Sequence, residues 1–181
     1  MSGTGVVLDE LGALLRRIEG MSAHDALEQE SLAYARLQVS DPHNKWLKAR
    51  ASVATQPAGQ VLLERCGDQF DITLDRPDAL NALDVSLRDG LREAFELAAL
   101  DPDIAVVNLR GAGKAFCIGG DLGEFGTTRN PEEAHMIRMA TLPAFAIAAC
   151  ADRLSVHIHG ACIGAGLEMA AFAKYISATS N

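Results

Sequence analysis

The sequence predicts an α/β layered fold that carries a helical N-terminal extension. Three observations predict it. Before Gly59, apolar residues recur only at helical spacing. After Gly59, segments alternate as strand, strand, helix, strand, loop, helix, strand, loop, helix, strand, an order that indicates packed sheet and helix layers. Two glycine-rich turns, Gly111 to Gly120 and Gly160 to Gly166, each follow an apolar strand.

The elements follow in chain order. Val7, Leu8, Leu11, Leu14, Leu15 and Ile18 form a helical stripe that Gly20 stops. Ser22 and Asp25 resemble a capping box that opens a second helix. Leu27, Tyr34 and Leu37 are expected on one face of it, with Asp41-Pro42 at its end. A short piece around Trp46 and Leu47 follows, and Ser52 to Gly59 reads as a linker. The N-terminal stripe is expected to pack on the core or on another subunit, with a solvated helical arm as the competing case. The boundary therefore falls at residue 58, with a core over 59–181.

Within that core, Val61–Glu64 and Phe70–Leu74 read as a hairpin around Cys66-Gly67-Asp68-Gln69. Asp84 is a helix N-cap. Leu87, Leu91, Ala94, Phe95 and Ala98 then form one apolar stripe. Gly90 in that helix costs about 1 kcal/mol relative to Ala, which points to close packing there. Ile104–Leu109 shows no alternation and predicts a strand buried on both faces. Asn130-Pro131 opens a helix, with Glu132 and Glu133 near its positive end, and Pro143 kinks or ends it. Leu154–His159 alternates as a half-buried strand. A helix over 166–174 and a strand over 175–178 complete the order.

A net charge of −8 argues against a general nucleic-acid surface, which requires basic patches to neutralise phosphate. No apolar run reaches the roughly 18 residues of a membrane span, and no signal-peptide layout precedes Asp9 and Glu10. Neither a nucleic-acid nor a membrane partner is expected. Cys66, Cys117, Cys150 and Cys162 form no CxxC pair, so reduced thiols in the cytoplasm are the simplest reading.

Neither glycine-rich turn is a nucleotide motif. A P-loop reading of Gly113-Lys114 fails twice, at Asn108 and at Ala115, and the GxGxxG spacing fails in both turns. Two turns beside each other offer instead a pair of backbone N–H donors to one carbonyl oxygen, an oxyanion hole. The second turn leads into a helix, whose dipole favours negative charge. Glu168 sits in the first turn of that helix, where a carboxylate can move a proton beside a bound thioester. It could equally be a favourable first-turn charge, and the glycines could serve only tight turns and helix packing. His157, His159 and Cys162 are read as ordinary sheet and loop residues, and no metal is expected. Cys117 reads as a small buried thiol and Asp121 as a loop-shaping residue, although Asp121 and Glu124 could substitute as acids.

Three segments resemble the crotonase superfamily, the enoyl-CoA hydratase/isomerase family. Leu74-Asp75-Arg76-Pro77-Asp78-Ala79-Leu80-Asn81-Ala82-Leu83 is similar to the segment that opens the family's CoA site. Gly113-Lys114-Ala115-Phe116-Cys117-Ile118-Gly119-Gly120-Asp121-Leu122 resembles its first oxyanion loop, and His159-Gly160-Ala161-Cys162-Ile163-Gly164-Ala165-Gly166-Leu167-Glu168 its second. The resemblance covers about residues 60–181. It implies a crotonase-like spiral of ββα units, incomplete at the C-terminus, because the family's second catalytic carboxylate lies further along than Asn181. It implies Gly120 and Ala165 as oxyanion N–H donors and Glu168 as a catalytic acid. It implies Ala79, Leu80, Ile118, Gly120 and Leu122 along the CoA path, and trimers or pairs of trimers. Coenzyme A then arrives as part of the substrate, with no separate cofactor.

The expected activity is addition of water to a 2-enoyl-CoA. One alternative is a catalytically incomplete remnant, or half of a split enzyme, that acts through a partner chain. Another keeps the oxyanion hole and changes the acids, as in a decarboxylase, hydrolase or ring-cleaving relative.

Overall fold

The computed structural model describes residues 3–51, 56–128 and 130–179. In chain order the elements are α1 (Gly3–Ile18), α2 (Ala23–Gln38), α3 (Asp41–Ala49), β1 (Gln60–Cys66), β2 (Gln69–Asp75), α4 (Val85–Leu100), β3 (Val106–Gly111), α5 (Pro131–Thr141), α6 (Ala144–Ala149), β4 (Leu154–Ile158), α7 (Ala165–Ala171) and β5 (Tyr175–Ala178). They divide into a helical unit, residues 1–53 with 122–141, and a sheet unit, residues 54–121 with 142–181.

In the helical unit, the Ser22 hydroxyl accepts the Asp25 N–H at 3.1 Å and donates to its carboxylate at 2.8 Å. Asp41-Pro42 opens α3 rather than closing α2. Ser40 caps α3, and a proline costs nothing in the first helical turn, where its missing N–H would have no partner. Helix α2 buries Leu27, Ser31, Ala33 and Ala35, while Tyr34 and Leu37 are half-buried. Leu14 of α1 is buried, but Leu8, Leu11 and Leu15 stay exposed, so most of the N-terminal stripe faces outward.

The sequence boundary at residue 58 assigned everything beyond it to the core, but residues 122–141 group with the N-terminal helices. Polar pairs between α2 and α5 explain this. Ser31 Oγ and His135 Nδ1 share a hydrogen bond of 2.9 Å, Arg138 donates to Glu30 at 2.9 Å, and the Arg138 guanidinium lies 4.3 Å from the Tyr34 ring centre. Of the predicted linker over 52–59, residues 52–55 lie outside the described residues.

In the sheet unit the strand order is β1-β2-β3-β4-β5. The first pair is antiparallel across a two-residue Gly67-Asp68 turn, and the remaining pairs are parallel. The whole predicted stripe of α4 is buried against the sheet. A Cβ on Gly90 would sit 3.0 Å from Val61 Cγ2, the close packing its presence suggested. Strand β3 is not buried on both faces. Val107 and Leu109 are fully buried, whereas Asn108 pairs with Asp71 at 2.7 Å and Arg110 with Thr73 at 2.9 Å on the opposite face. Those partners are the register neighbours on β2, so cross-strand polar pairs take the place of a second core. In β4, Leu154 and Val156 are buried and His157 is exposed, as its alternation predicts. Helix α7 begins at Ala165 and ends at Ala171, three residues short of the predicted Lys174.

Candidate active site

The first loop is built on a short segment that sequence reasoning undervalued. Pro77–Ala79 forms a single 3-10 turn, after which Leu80 and Asn81 take left-handed backbone angles, φ 51° and 56°. Such angles are costly for a branched residue such as Leu80 and need support from their surroundings. Asn81 supplies it. Its side chain is fully buried, accepts the Arg76 N–H at 2.9 Å, and donates to the carbonyls of Ala112, Ala115 and Phe116 at 2.8 to 3.2 Å. This ties Ala79 and Leu80 to the base of the first glycine-rich loop.

Arg76 is buried beside two carboxylates. Nη1 lies 2.7 Å from Asp121 Oδ2, and Nε lies 3.4 Å from Asp84 Oδ2. Nη1 also donates to the Ala82 carbonyl at 3.0 Å, and Nε to that of Pro57 at 2.8 Å. Asp84 in turn accepts the N–H groups of Leu87 and Gly59. A buried charge persists only when paired and hydrogen-bonded, and this network meets that condition. Asp84 thus caps α4 as predicted and also holds the loop-shaping residue Asp121 through Arg76. The sequence signal for Arg76 and Asn81 was a charge and a turn-former set directly against a buried strand.

The two glycine-rich loops lie side by side. Phe116 N–H donates to the His159 carbonyl at 2.8 Å, Cys117 N–H to Ala161 at 3.2 Å, and Ile163 N–H to Cys117 at 3.1 Å. A Cβ on Gly119 (φ 91°) would stand 3.2 Å from the Ile163 carbonyl oxygen and 3.3 Å from Ala165 N. The loops therefore meet between Gly119, the residue before one expected donor, and Ala165, the other.

Gly120 is bridged in parallel to Leu83. Leu83 N–H bonds the Gly119 carbonyl at 2.8 Å, and Asp121 N–H bonds the Leu83 carbonyl at 2.9 Å. A parallel bridge uses the flanking residues' groups, so the N–H of Gly120 itself points away from Leu83. Ala165 is the first residue of α7, after Gly164 at φ 54°. The first amides of a helix have no intrahelical acceptor, so α7 itself supplies no partner for the Ala165 N–H. Gly166 fixes how closely α7 approaches, since a Cβ there would fall on the Cys117 carbonyl oxygen and 2.9 Å from Cys117 Cβ.

Glu168 is exposed in the first turn of α7, and its N–H bonds the Gly164 carbonyl at 3.0 Å. Ile118 is half-buried in the first loop, and Leu80 is exposed beside Asn81. Leu122 starts a separate 3-10 turn, Leu122–Glu124, that groups with the helical unit, so the sheet unit alone does not bring it to the other expected CoA residues.

Cys117 is fully buried, and burial pushes its thiol up to about 11, the opposite of an activated nucleophile. His157 Nδ1 shares a 2.7 Å hydrogen bond with Ser177 Oγ, and His159 Nε2–H donates to the Gly113 carbonyl at 3.1 Å. Both act as connectors between adjacent segments.

Comparisons with known proteins agree with this geometry. Residues 69–181 match the family model for enoyl-CoA hydratase/isomerase. A probable enoyl-CoA hydratase of Mycobacterium tuberculosis is 37% identical over 100 residues, covering 55% of this chain and 39% of the relative. Human mitochondrial 3-hydroxyisobutyryl-CoA hydrolase is 31% identical over 142 residues, covering 73% of this chain and 35% of the relative. Among solved structures, an enoyl-CoA hydratase/carnithine racemase from Magnetospirillum magneticum is similar at 39% identity and a TM-score of 0.58, over 68% of this chain and 47% of that one. An enoyl-CoA hydratase from Thermoplasma volcanium superposes with a TM-score of 0.55 at 30% identity, over 65% of this chain and 47% of that one. The chain thus spans between 35% and 47% of the length of these relatives. The matched segment carries both loops and the Asn81 turn on a crotonase-type sheet, and the chain belongs to the enoyl-CoA hydratase/isomerase family.

Proposed function

We propose that this protein acts on an acyl-CoA thioester and, within its family, adds water to a 2-enoyl-CoA. The observation that supports the reading is the close approach of the two loops, Gly119 lying against Ile163 O and Ala165 N. Two N–H donors suit the oxygen of a thioester that gains charge.

Glu168 takes a proton from water, and the hydroxyl oxygen bonds to the β-carbon. The electron pair of the double bond moves to the thioester oxygen, where the two N–H groups stabilise the enolate. The enolate then takes that proton back from Glu168 at the α-carbon, so that H and OH of one water have been added across the double bond and the Glu168 carboxylate is regenerated. Coenzyme A is part of the substrate in this scheme, and no separate cofactor takes part. Cytoplasmic residence and a homo-oligomer, a trimer or pair of trimers, belong to the same reading. Among the described residues, no helix is long and apolar enough to cross a membrane.

Incubation with crotonyl-CoA tests the reading. The expected product is the 3-hydroxyacyl-CoA, and Glu168→Gln should lower the rate by about 10²–10⁴, the usual contribution of a positioned acid–base group. Unchanged turnover in the variant would remove Glu168 from the chemistry. Release of free CoA thiol in place of hydration would move the protein to the hydrolase branch.

A second reading, action through association with a partner chain, draws on β5. All four residues of this edge strand are exposed, including Tyr175 and Ile176, and an exposed edge is a template for another strand. Acyl-CoA binding by the isolated, monodisperse chain would count against it. Aggregation relieved by a second polypeptide would favour it.

A further inference from the structure

Helix α1 turns its packed side and its apolar stripe in different directions. Leu14 is buried, and Glu10 accepts a hydrogen bond from Arg36 Nε of α2 at 3.1 Å. Leu8, Leu11 and Leu15, by contrast, are 60%, 46% and 57% exposed. With the half-buried Ile18 they follow one another at intervals of three, four and three residues. That is the narrow seam by which one helix pairs with another.

Gly12 stands in the middle of α1, where glycine weakens a helix. Among the described residues, a Cβ there would meet only the Arg16 guanidinium, at 3.5 Å from Nη1, so nothing in the unit requires the small residue. The charges are ordered too. Asp9 and Arg16 are exposed, and each follows a seam leucine. They stand seven residues apart and so share one flank of the seam, with Gly12 between them.

We propose that α1 pairs antiparallel with α1 of a second copy of this chain, across a two-fold axis near Ala13. Leu8 then stands against the second copy's Ile18 and Leu11 against its Leu15, and the axis repeats both layers. Asp9 of each chain falls within about one residue's rise, roughly 1.5 Å, of the level of the other chain's Arg16. A parallel pair would set Asp9 beside Asp9 and Arg16 beside Arg16, so the charge order selects the antiparallel one. A two-fold contact uses the same patch on both chains and needs a patch complementary to itself, which this one is. Gly12 leaves room beside the axis for the Arg16 side chains. Helix α1 is already held against α2, so the pairing does not bear the nucleation cost that keeps short isolated helices unformed in water. The proposal is independent of the acyl-CoA reading.

Sedimentation of the full chain at low ionic strength, over micromolar concentrations, tests it. The wild-type chain should sediment at twice the mass of Leu11→Glu. That variant should weaken association by about a hundredfold or more, because the axis repeats the loss on both chains. Leu11 is exposed, so helix content should be equal in the two. Asp9→Arg and Arg16→Asp should each weaken association by about tenfold. An equimolar mixture of those two variants should restore it, since one chain then offers two cations and the other two anions. Equal mass for the wild type and Leu11→Glu would overturn the proposal. Dissociation by Leu11→Glu with no recovery in the mixture would overturn the antiparallel order. A wild-type chain at the lower mass that floats with phosphatidylcholine vesicles would overturn the second copy and give the stripe to a lipid surface.

Discussion

Asn81, Arg76 and Cys117 show how much of the candidate site depends on buried groups that do no chemistry. Asn81 makes four hydrogen bonds from a left-handed backbone angle, and Arg76 is flanked by Asp84 and Asp121. Removing the Arg76 charge would leave two carboxylates in a site built around it, a change that typically costs 3–5 kcal/mol, about the size of a small domain's margin. Cys117 offers a test by pH. Its thiol is raised from 9.0 to about 11, first by burial and also by Cys162, against a hydrogen bond from the Gly119 N–H. Below pH 9 the folded and unfolded chains both keep this proton. Between pH 9 and 11 the unfolded chain releases it and the folded chain does not, so stability falls by about 1.4 kcal/mol per pH unit. Cys150 and Cys162 are also raised and add in the same direction. Denaturant unfolding at pH 8 and pH 10 should show this loss, and Cys117→Ala should flatten part of it.

Among the elements, α4 and α7 depend on their sequences in different ways. The stripe Leu87, Leu91, Ala94, Phe95 and Ala98 was legible because helical spacing and burial coincide at every position. The hairpin was legible for a similar reason, with two strand-like runs closing on Gly67-Asp68. Helix α7 was legible only approximately, because seven residues give little periodicity to read. Its place is set by Gly166 against Cys117. Gly166→Ala should therefore push α7 from the first loop and misplace the Ala165 N–H. Turnover of crotonyl-CoA should fall by about 10²–10³, the effect of losing one oxyanion donor. The thermal midpoint should drop by an amount equivalent to about 1–3 kcal/mol of overpacking. Retained turnover would separate α7 placement from the chemistry. Strand β3 shows the opposite case, a sequence that read as buried on both faces. Asn108 and Arg110 find partners on β2 that lie more than thirty residues away in the chain, and no local pattern announces them.

For the whole molecule, the sheet unit holds a continuous core and the helical unit is held by smaller apolar contacts and polar pairs. Hydrogen exchange should reflect this. The slowest amides are expected in β2, β3 and β4, where Ile72, Leu74, Val107, Leu109, Leu154 and Val156 are fully buried, and the fastest in β5 and α3, which bury no residue. Equal protection in α3 and β3 would contradict the division. The sequence by itself determined the layered α/β class, the order of elements, the two glycine-rich loops and the membership those loops carry, because each is written in spacing, turn chemistry or a contiguous motif. Only the tertiary structure decided that Asn81 and Arg76 anchor the first loop and that α5 belongs with the N-terminal helices. Those choices depend on pairs of residues tens of positions apart, whose complementarity exists only once the chain has brought them together.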